Sequence, residues 1–435
     1  MARLMKNSGI QWIGDIPQNW KIQRLKTILK ERIEKNEPIK TKNILSLTIH
    51  QGVIPISEKV GGGNKPKEDF TSYKLAYPND IVLNSMNIIV GSVGLSKYFG
   101  CVSPVYYVLY SRDNEKYYVN YYNNIFQSSD FQRSLIGLGN GILIKKSDNG
   151  NLNTIRMKIP MENLNNVILP LPPIEEQQRI ANYLDEKCSK IDETIEKEKT
   201  IIEKLKEYKQ SLITETVTKG VNPNVPLKDS GIDWIGSIPQ HWGMIKIKYL
   251  GYAKNGLTYN PKDISDNGVL VLRSSNIVEG NVKFKDNVFV NIPIDKGLKV
   301  KKGDILICSR NGSKKLIGKN AIINEDINAS FGAFMMIFRT KHYNYIHKIL
   351  NSDIFNYYLG TFLTSTINQL TLGNFNNMIV PYTKDIKEQE EIAKYLDEKC
   401  NAIENAITQR ETLIDKLTQY KKSLIYECVT GKKEV

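Results

Sequence analysis

A chain of 435 residues, 41% of them hydrophobic, is long enough for two ordinary domains with cores of their own. Lys and Arg number 60 against 46 Asp and Glu, a formal charge of +14 that favours a polyanionic partner such as nucleic acid over an acidic small molecule. No apolar signal segment follows Met1–Lys6 and no run of about 18 apolar residues occurs, so a cytoplasmic protein without a membrane span is expected; Cys101, Cys188, Cys308, Cys400 and Cys428 form no CxxC and argue against a disulfide framework or a zinc site.

The first motif is SGIQWIGDIPQNW at Ser8–Trp20, and SGIDWIGSIPQHW follows at Ser230–Trp242. Ten of the thirteen positions are identical, which marks an internal duplication of a whole half of the chain. The Trp and Pro residues of this element are expected to be structural, locking the start of each domain. Between the motif and residue 171 come short apolar runs such as Ile81–Leu83 and Val105–Leu109, bounded by Asn, Gly and Asp; Ile305–Ile307 and Phe334–Phe338 repeat the pattern in the second half. These read as strands of a mixed domain. Aligning Asp80 with Asp304 without a gap also aligns Asn87 with Asn311 and Gly94 with Gly318, while Met86 faces Arg310 and Leu95 faces Lys319. Two copies of one fold that recognise different things would look like this.

From Pro172 to Gly220 the apolar residues keep coiled-coil spacing: Ile180, Leu184, Ile191, Ile195, Ile202, Leu205 and Leu212. The same seam returns 212 residues later as Ile392, Leu396, Ile403, Ile407, Ile414, Leu417 and Leu424. Pro173 in the first turn, Glu175 and Glu176 after it, and a stop at Lys219–Gly220 bound the first helix; Asp385 and Glu388 in capping-box spacing and Gly431 bound the second. Each helix would be on the order of 60 Å long, and the roughly 11 residues joining the first helix to the second domain can span only about 40 Å, so an antiparallel return is expected. The predicted fold is α+β: recognition domains at 1–171 and 230–384, a linker at 221–229, and helices at 172–220 and 385–431 forming a pseudo-twofold antiparallel coiled coil.

A search for catalytic chemistry yields absences. No phosphate-binding loop of the G-x-x-x-x-G-K-[ST] type, nucleotide-cofactor turn or base-methylation motif occurs, and His50, His241, His342 and His347 are scattered. The E-x-K spacing at Glu207 and Lys209 falls on a charged helix face. What remains is binding. In the first domain the candidate DNA-contacting residues are Lys65, Lys67, Asn84, Ser85, Asn87, Lys97, Lys145 and Lys146. In the second they are Arg273, Ser274, Ser275, Asn276, Arg310, Asn311, Lys314, Lys315 and Lys319, with Gln369 and Asn374 near the helices. Arg and Asn read guanine and adenine edges, whereas Lys chiefly holds phosphate.

The repeated SGIxWIGxIPxxW, the LPLPPIEEQQRIANYL run at 169–184, and a helix ending in VTKG resemble the specificity subunits of type I restriction-modification systems over essentially the whole chain. Glu176, Gln177, Ile180, Ala181, Tyr183 and Leu184 match Glu388, Gln389, Ile392, Ala393, Tyr395 and Leu396. The resemblance implies a non-catalytic subunit, one copy per complex. Each domain would read half of a bipartite DNA site, and the helices would set the spacer. It also implies two methyltransferase subunits as partners, with motor-nuclease subunits as further ones; S-adenosylmethionine, ATP and Mg would be held by those partners and no cofactor by this chain. Base-reading residues do not transfer, because the recognition domains vary within the family. A coiled-coil adaptor binding proteins through its globular ends, and a specificity subunit of an orphan methyltransferase without a nuclease, stay open at this stage. If the helices act as a ruler, adding or removing a heptad near Ile202 should change only the gap between half-sites, measured by duplex selection.

Overall fold

Aliphatic runs of three to five residues, too short for helices and flanked by Asp, Asn and Gly, build the centre of each half. The computed structural model describes residues 3–48, 51–59, 69–142, 145–146, 152–153, 156–363 and 368–435. The chain divides into two compact units, Met1–Glu198 with Thr412–Val435, and Lys199–Glu411. In the first unit the strands Leu29–Glu31, Tyr106–Ser111, Ile81–Asn84 and Val93–Leu95 form an antiparallel sheet in that spatial order. Tyr252–Asn255, Met335–Arg339, Ile305–Cys308 and Asn320–Ile322 repeat it in the second.

Successive side chains on a strand point to opposite faces, and here both faces are covered. Ile81 and Leu83 enter one core with Leu109, Tyr121 and Phe126, while Val82 enters another with Leu45, Val53 and Val108. In the second unit Ile305 and Ile307 pack with Phe338 and Tyr345, and Leu306 and Cys308 with Ala321 and Phe331. Burial on both sides explains why these strands read as continuous apolar runs and not as alternating ones. Each such side chain contributes about 1.5–3 kcal/mol.

The aspartate that opens the central strand is a fixed point of the fold. Asp80 accepts the Tyr77 N–H at 2.8 Å, and Asp304 accepts the Lys301 N–H at 2.8 Å. Each is buried against an arginine, but not the same one. Arg32 meets Asp80 at 2.8 and 3.1 Å from just beyond the edge strand, whereas Arg339 meets Asp304 at 2.5 Å twice from the strand beside it. The Asp304 hydrogen bond raises the Arg339 pKa even against partial burial, and the guanidinium lies over Tyr252.

The strand register corrects the gapless alignment. Leu83 pairs with Val93 across the first tip loop and Ile307 with Asn320 across the second, so the second loop is three residues longer. Gly318 therefore corresponds to Gly91, not Gly94: both take positive φ, +87° and +84°, to close their loops. Lys319 corresponds to Ser92, as the Asn84 N–H to Ser92 O and Cys308 N–H to Lys319 O bonds show. A loop tip accepts an insertion because only the flanking strands are held by a ladder.

The long helices span Ile174–Lys219 and Ile386–Val429. In both units they run antiparallel. Within the first, Lys421 donates to Asp192 at 2.6 Å, and Trp20 joins Glu176 to Gly431; within the second, Lys209 donates to Glu404, and Gly220 lies near Glu388, so in each the start of one helix meets the end of the other. Ile180, Leu184, Ile191, Ile202, Ile392, Leu396, Ile403, Ile407 and Leu424 are buried, and Ile195, Leu205, Leu212, Ile414 and Leu417 partly so. Toward the helix ends Ile213 and Val217, and equally Ile425 and Val429, are buried, positions outside the expected seam. There the helix packs on a domain core, and the buried stripe widens beyond a heptad line.

The helix starts differ in detail from expectation. Pro173 lies one position before the first turn, its carbonyl accepting the N–H groups of Glu176 and Gln177 at 3.0 Å. Asp385 does cap, taking the Lys387 N–H at 2.9 Å, but Glu388 closes no capping box. Its carboxylate instead accepts the Trp242 indole N–H at 3.0 Å and faces His241. Glu176 likewise accepts the Trp20 indole N–H at 2.8 Å and pairs with Arg3 at 2.5 Å.

These bonds explain the repeated motifs. Trp20 also lies against the turn at Gly431, where an added methyl would come within 3.0 Å of the ring and 2.5 Å of Pro17; Trp242 lies against Gly220. Each buried tryptophan thus touches the start of one long helix and the end of the other. The neighbouring glutamine fixes the same junction to the backbone. Gln177 donates to the Lys116 and Pro172 carbonyls and accepts the Tyr118 N–H, and Gln389 donates to Thr383 O at 2.7 Å.

Candidate nucleic-acid interface

The tip of each four-stranded sheet carries exposed side chains on a rigid base. In the second unit Arg310 leaves the central strand, its N–H bonded to Phe334 O at 3.1 Å and its backbone bridged to Gln369. Gln369 therefore sits at the tip and not beside the helices. The Arg310 guanidinium rests 5.2 Å from the Phe334 ring centre, and Phe334 is 59% exposed. Around them a cleft of about 600 Å³ is lined by Leu257, Tyr259, Arg273, Ser274, Ser275 and Asn311, among others. Its wall needs glycine: a Cβ at Gly256 would sit 2.2 Å from the Gly332 carbonyl, so only glycine lets Leu257–Tyr259 run beside the 331–335 turn.

Within that cleft the polar groups are not equally available. Arg273 donates to Asp286 O at 2.6 Å, and Asn311 donates to Ser274 Oγ at 3.2 Å while accepting the Ser313 N–H at 3.0 Å. Lys319 donates to Ser274 O at 3.3 Å. Asn276 is fully buried, holding Lys283 O, Lys285 O, Asn287 and the Arg273 N–H, so it shapes the loop and reads nothing. Asn374 offers its N–H to Thr371 Oγ at 3.1 Å as part of a helix cap. Lys314 and Lys315 are exposed on a short 3-10 turn. Cys308, beside the Arg310 carbonyl, is fully buried, and burial pushes its thiol above the usual range, as for an inert core residue.

The first unit presents the same frame with different chemistry. Strand pairing ends at Asn84–Tyr106 and Cys308–Met335, which sets Val105 level with Phe334; one step on, Ser85 O takes the Ile159 N–H as Ser309 O takes that of Leu370, and the residues that follow are Met86 and Arg310. Met86 and Val105 are 42% and 50% exposed. Asn87 is exposed beside them. Asn84 is partly exposed and uses its side-chain oxygen on the Met86 N–H at 3.0 Å, whereas Ser85 is buried at 1% exposure and is not the open reader expected. Lys97 is exposed but close enough to Asp185 of the first long helix to act on its pKa, which burial raises and Lys97 lowers. Lys145–Lys146 pair with Leu152–Asn153 in a ribbon whose base, Ile159, donates to Ser85 O at 3.0 Å. Lys65 and Lys67 lie outside the described residues. Met86, Val105, Phe334 and Tyr259 were not among the sequence candidates; the signal for Phe334 is an aromatic residue placed in a turn directly before a strand.

Among the described residues no group of three or more His, Cys, Asp or Glu is placed to hold a metal, and no helix is long and apolar enough to cross a membrane.

Residues 239–412 match the family model for the type I restriction modification DNA specificity domain. A specificity subunit of the type I restriction enzyme MjaVIII from Methanocaldococcus jannaschii is 27% identical over 279 residues, 61% of this chain and 62% of its own. The EcoBI specificity subunit of Escherichia coli is 24% identical over 290 residues, 62% of this chain and 60% of its own. The chain is similar to type I restriction specificity subunits, and its residues 239–412 match their DNA specificity domain. The fold agrees across almost the whole length of two solved chains. A chain from a type I R-M assembly has a TM-score of 0.72 at 13% identity, covering 95% of this chain and 98% of its own. The HsdS subunit of Thermoanaerobacter tengcongensis has a TM-score of 0.54 at 14% identity, covering 96% and 98%. The sequence matches to the two curated specificity subunits span less than two thirds of each relative's own length.

Proposed function

We propose that this chain is the DNA-recognition subunit of a type I restriction-modification complex. Residues 1–171 and 230–384 each read one half of a bipartite site, and the paired helices set the gap. The chain performs no chemistry; it directs two methyltransferase subunits, which hold S-adenosylmethionine, and motor-nuclease subunits using ATP and Mg, in the cytoplasm. The observation that carries this reading is the pair of equivalent sheet tips with unlike exposed side chains, Met86 and Val105 against Arg310 and Phe334. A net charge of +14 suits a phosphate backbone. Methylome sequencing of the host with and without the gene tests it: loss of one two-part asymmetric motif is expected, and an unchanged methylome together with no salt-sensitive duplex preference in vitro favours the protein-binding adaptor.

Lysines near the tip are proposed to hold phosphate. Lys315→Ala should weaken binding to all duplexes alike and reduce the slope of log K against log salt by about 0.9, the share of one phosphate contact. Titration at four salt concentrations measures it; altered base preference with an unchanged slope would contradict the assignment.

A further inference from the structure

We infer that Arg310 is the specificity-determining residue of the second unit and that it reads a guanine, whereas the first unit, with Met86 at the same place, reads a thymine methyl group. The inference rests on the DNA-recognition reading and adds the identity of the bases. Three observations carry it. First, Arg310 is the arginine of the cleft whose guanidinium makes no hydrogen bond or ion pair to protein among the described residues, whereas Arg273 is tied to Asp286 O and Asn311 to Ser274 and Ser313. Second, the free fork is held in place: the backbone is bonded to Phe334 O, and the guanidinium lies over the Phe334 ring, so little side-chain freedom remains to be lost on binding. Third, Ser85 O and Ser309 O accept matching N–H groups, from Ile159 and from Leu370, and the residues that follow them are Met86 and Arg310, while the strand register sets Val105 level with Phe334; Met86 and Val105 are both exposed.

A planar fork with parallel N–H donors matches the O6 and N7 acceptors of guanine, and an exposed aliphatic pair matches the C5 methyl of thymine. The position is shared and the chemistry is exchanged, so the two half-sites differ because of these tips.

The test is selection of duplexes from a randomised pool by the full-length chain, with and without its methyltransferase subunits. Wild type should enrich a two-part motif containing a guanine in one half. Arg310→Gln should relax that guanine by about 5- to 150-fold and leave the other half unchanged, which also serves as the folding control in the same tube. Phe334→Leu, which keeps the fork and removes the ring, should relax the same base pair by less. A wild-type two-part motif whose bases are all retained in Arg310→Gln overturns the inference and leaves DNA recognition standing, as does relaxation at a different base pair in Phe334→Leu. Equal loss in both halves also overturns it. Enrichment of no motif by wild type defeats the DNA-recognition reading itself.

Discussion

Trp20→Ala should destabilise the first unit by about 3–5 kcal/mol, the usual cost of deleting a large aromatic side chain from a core. That is a large part of the 5–15 kcal/mol that holds a typical domain. The side chain is fully buried, packs edge-on to Tyr121, and donates to a Glu176 carboxylate that is itself nearly buried. Removing it opens a cavity at the point where the start of one helix and the end of the other meet. It also leaves Glu176 with Arg3 as its remaining polar side-chain partner among the described residues. Trp20→Phe keeps most of the volume but not the indole N–H and should cost less, about 1–3 kcal/mol for the acceptor left unsatisfied. Native-state hydrogen exchange separates the units. Amides of Val119–Gln127 and of the helix end near Val429 should lose protection together, while those of Ile305–Cys308 keep theirs. Equal loss in both units would show that the junction is not local to the first.

Asp304→Ala should cost about 3 kcal/mol, at the lower end of the range for breaking a buried ion pair. The carboxylate is 1% exposed and takes both Arg339 donors as well as the Lys301 N–H. The lower end applies because Arg339 is partly exposed and keeps Tyr252 Oη at 2.8 Å and Lys299 O at 3.1 Å, so its charge is not stranded. Asp304→Leu combined with Arg339→Met should lose less than the single change, since neither half of the pair is left alone. Thermal denaturation of the wild type, Asp304→Leu, Arg339→Met and the double mutant checks this. A double mutant that loses the sum of the two single effects would show that the pair has no coupling of its own.

How far the fold was legible depended on period. The long helices could be placed closely because two matched copies of a helical repeat leave little freedom. Even the residues missed there, Ile213 and Val217, have their echoes at Ile425 and Val429. The sheet strands were visible as apolar runs, but the loop joining two of them was not, because a three-residue difference leaves no mark until the ladder fixes which residues face each other. The tip residues were harder. Ser85 and Asn276 have the same polar character as true surface readers, yet both serve their own loops, the common use of Ser and Asn in turns. Met86 and Val105 are apolar and carry no polar signature in the sequence; only the fold shows them exposed at the tip. Glu388 matched a capping pattern by spacing, and only the proximity of Trp242, 146 residues away, shows where its carboxylate goes.

The tryptophan junction also sets an order of events during synthesis. Domains usually complete themselves from the N-terminus as the chain emerges. Here the core containing Trp20 includes Leu424, Ile425, Cys428 and Val429, so the unit translated first cannot close until residues 424–429 have left the ribosome. The unit translated second is one uninterrupted stretch, Lys199–Glu411, and has every side chain of its core in hand earlier. Inheritance by duplication and folding therefore cut this chain at different places. The half that begins first is completed after the other, and until residues 424–429 emerge its core stays open.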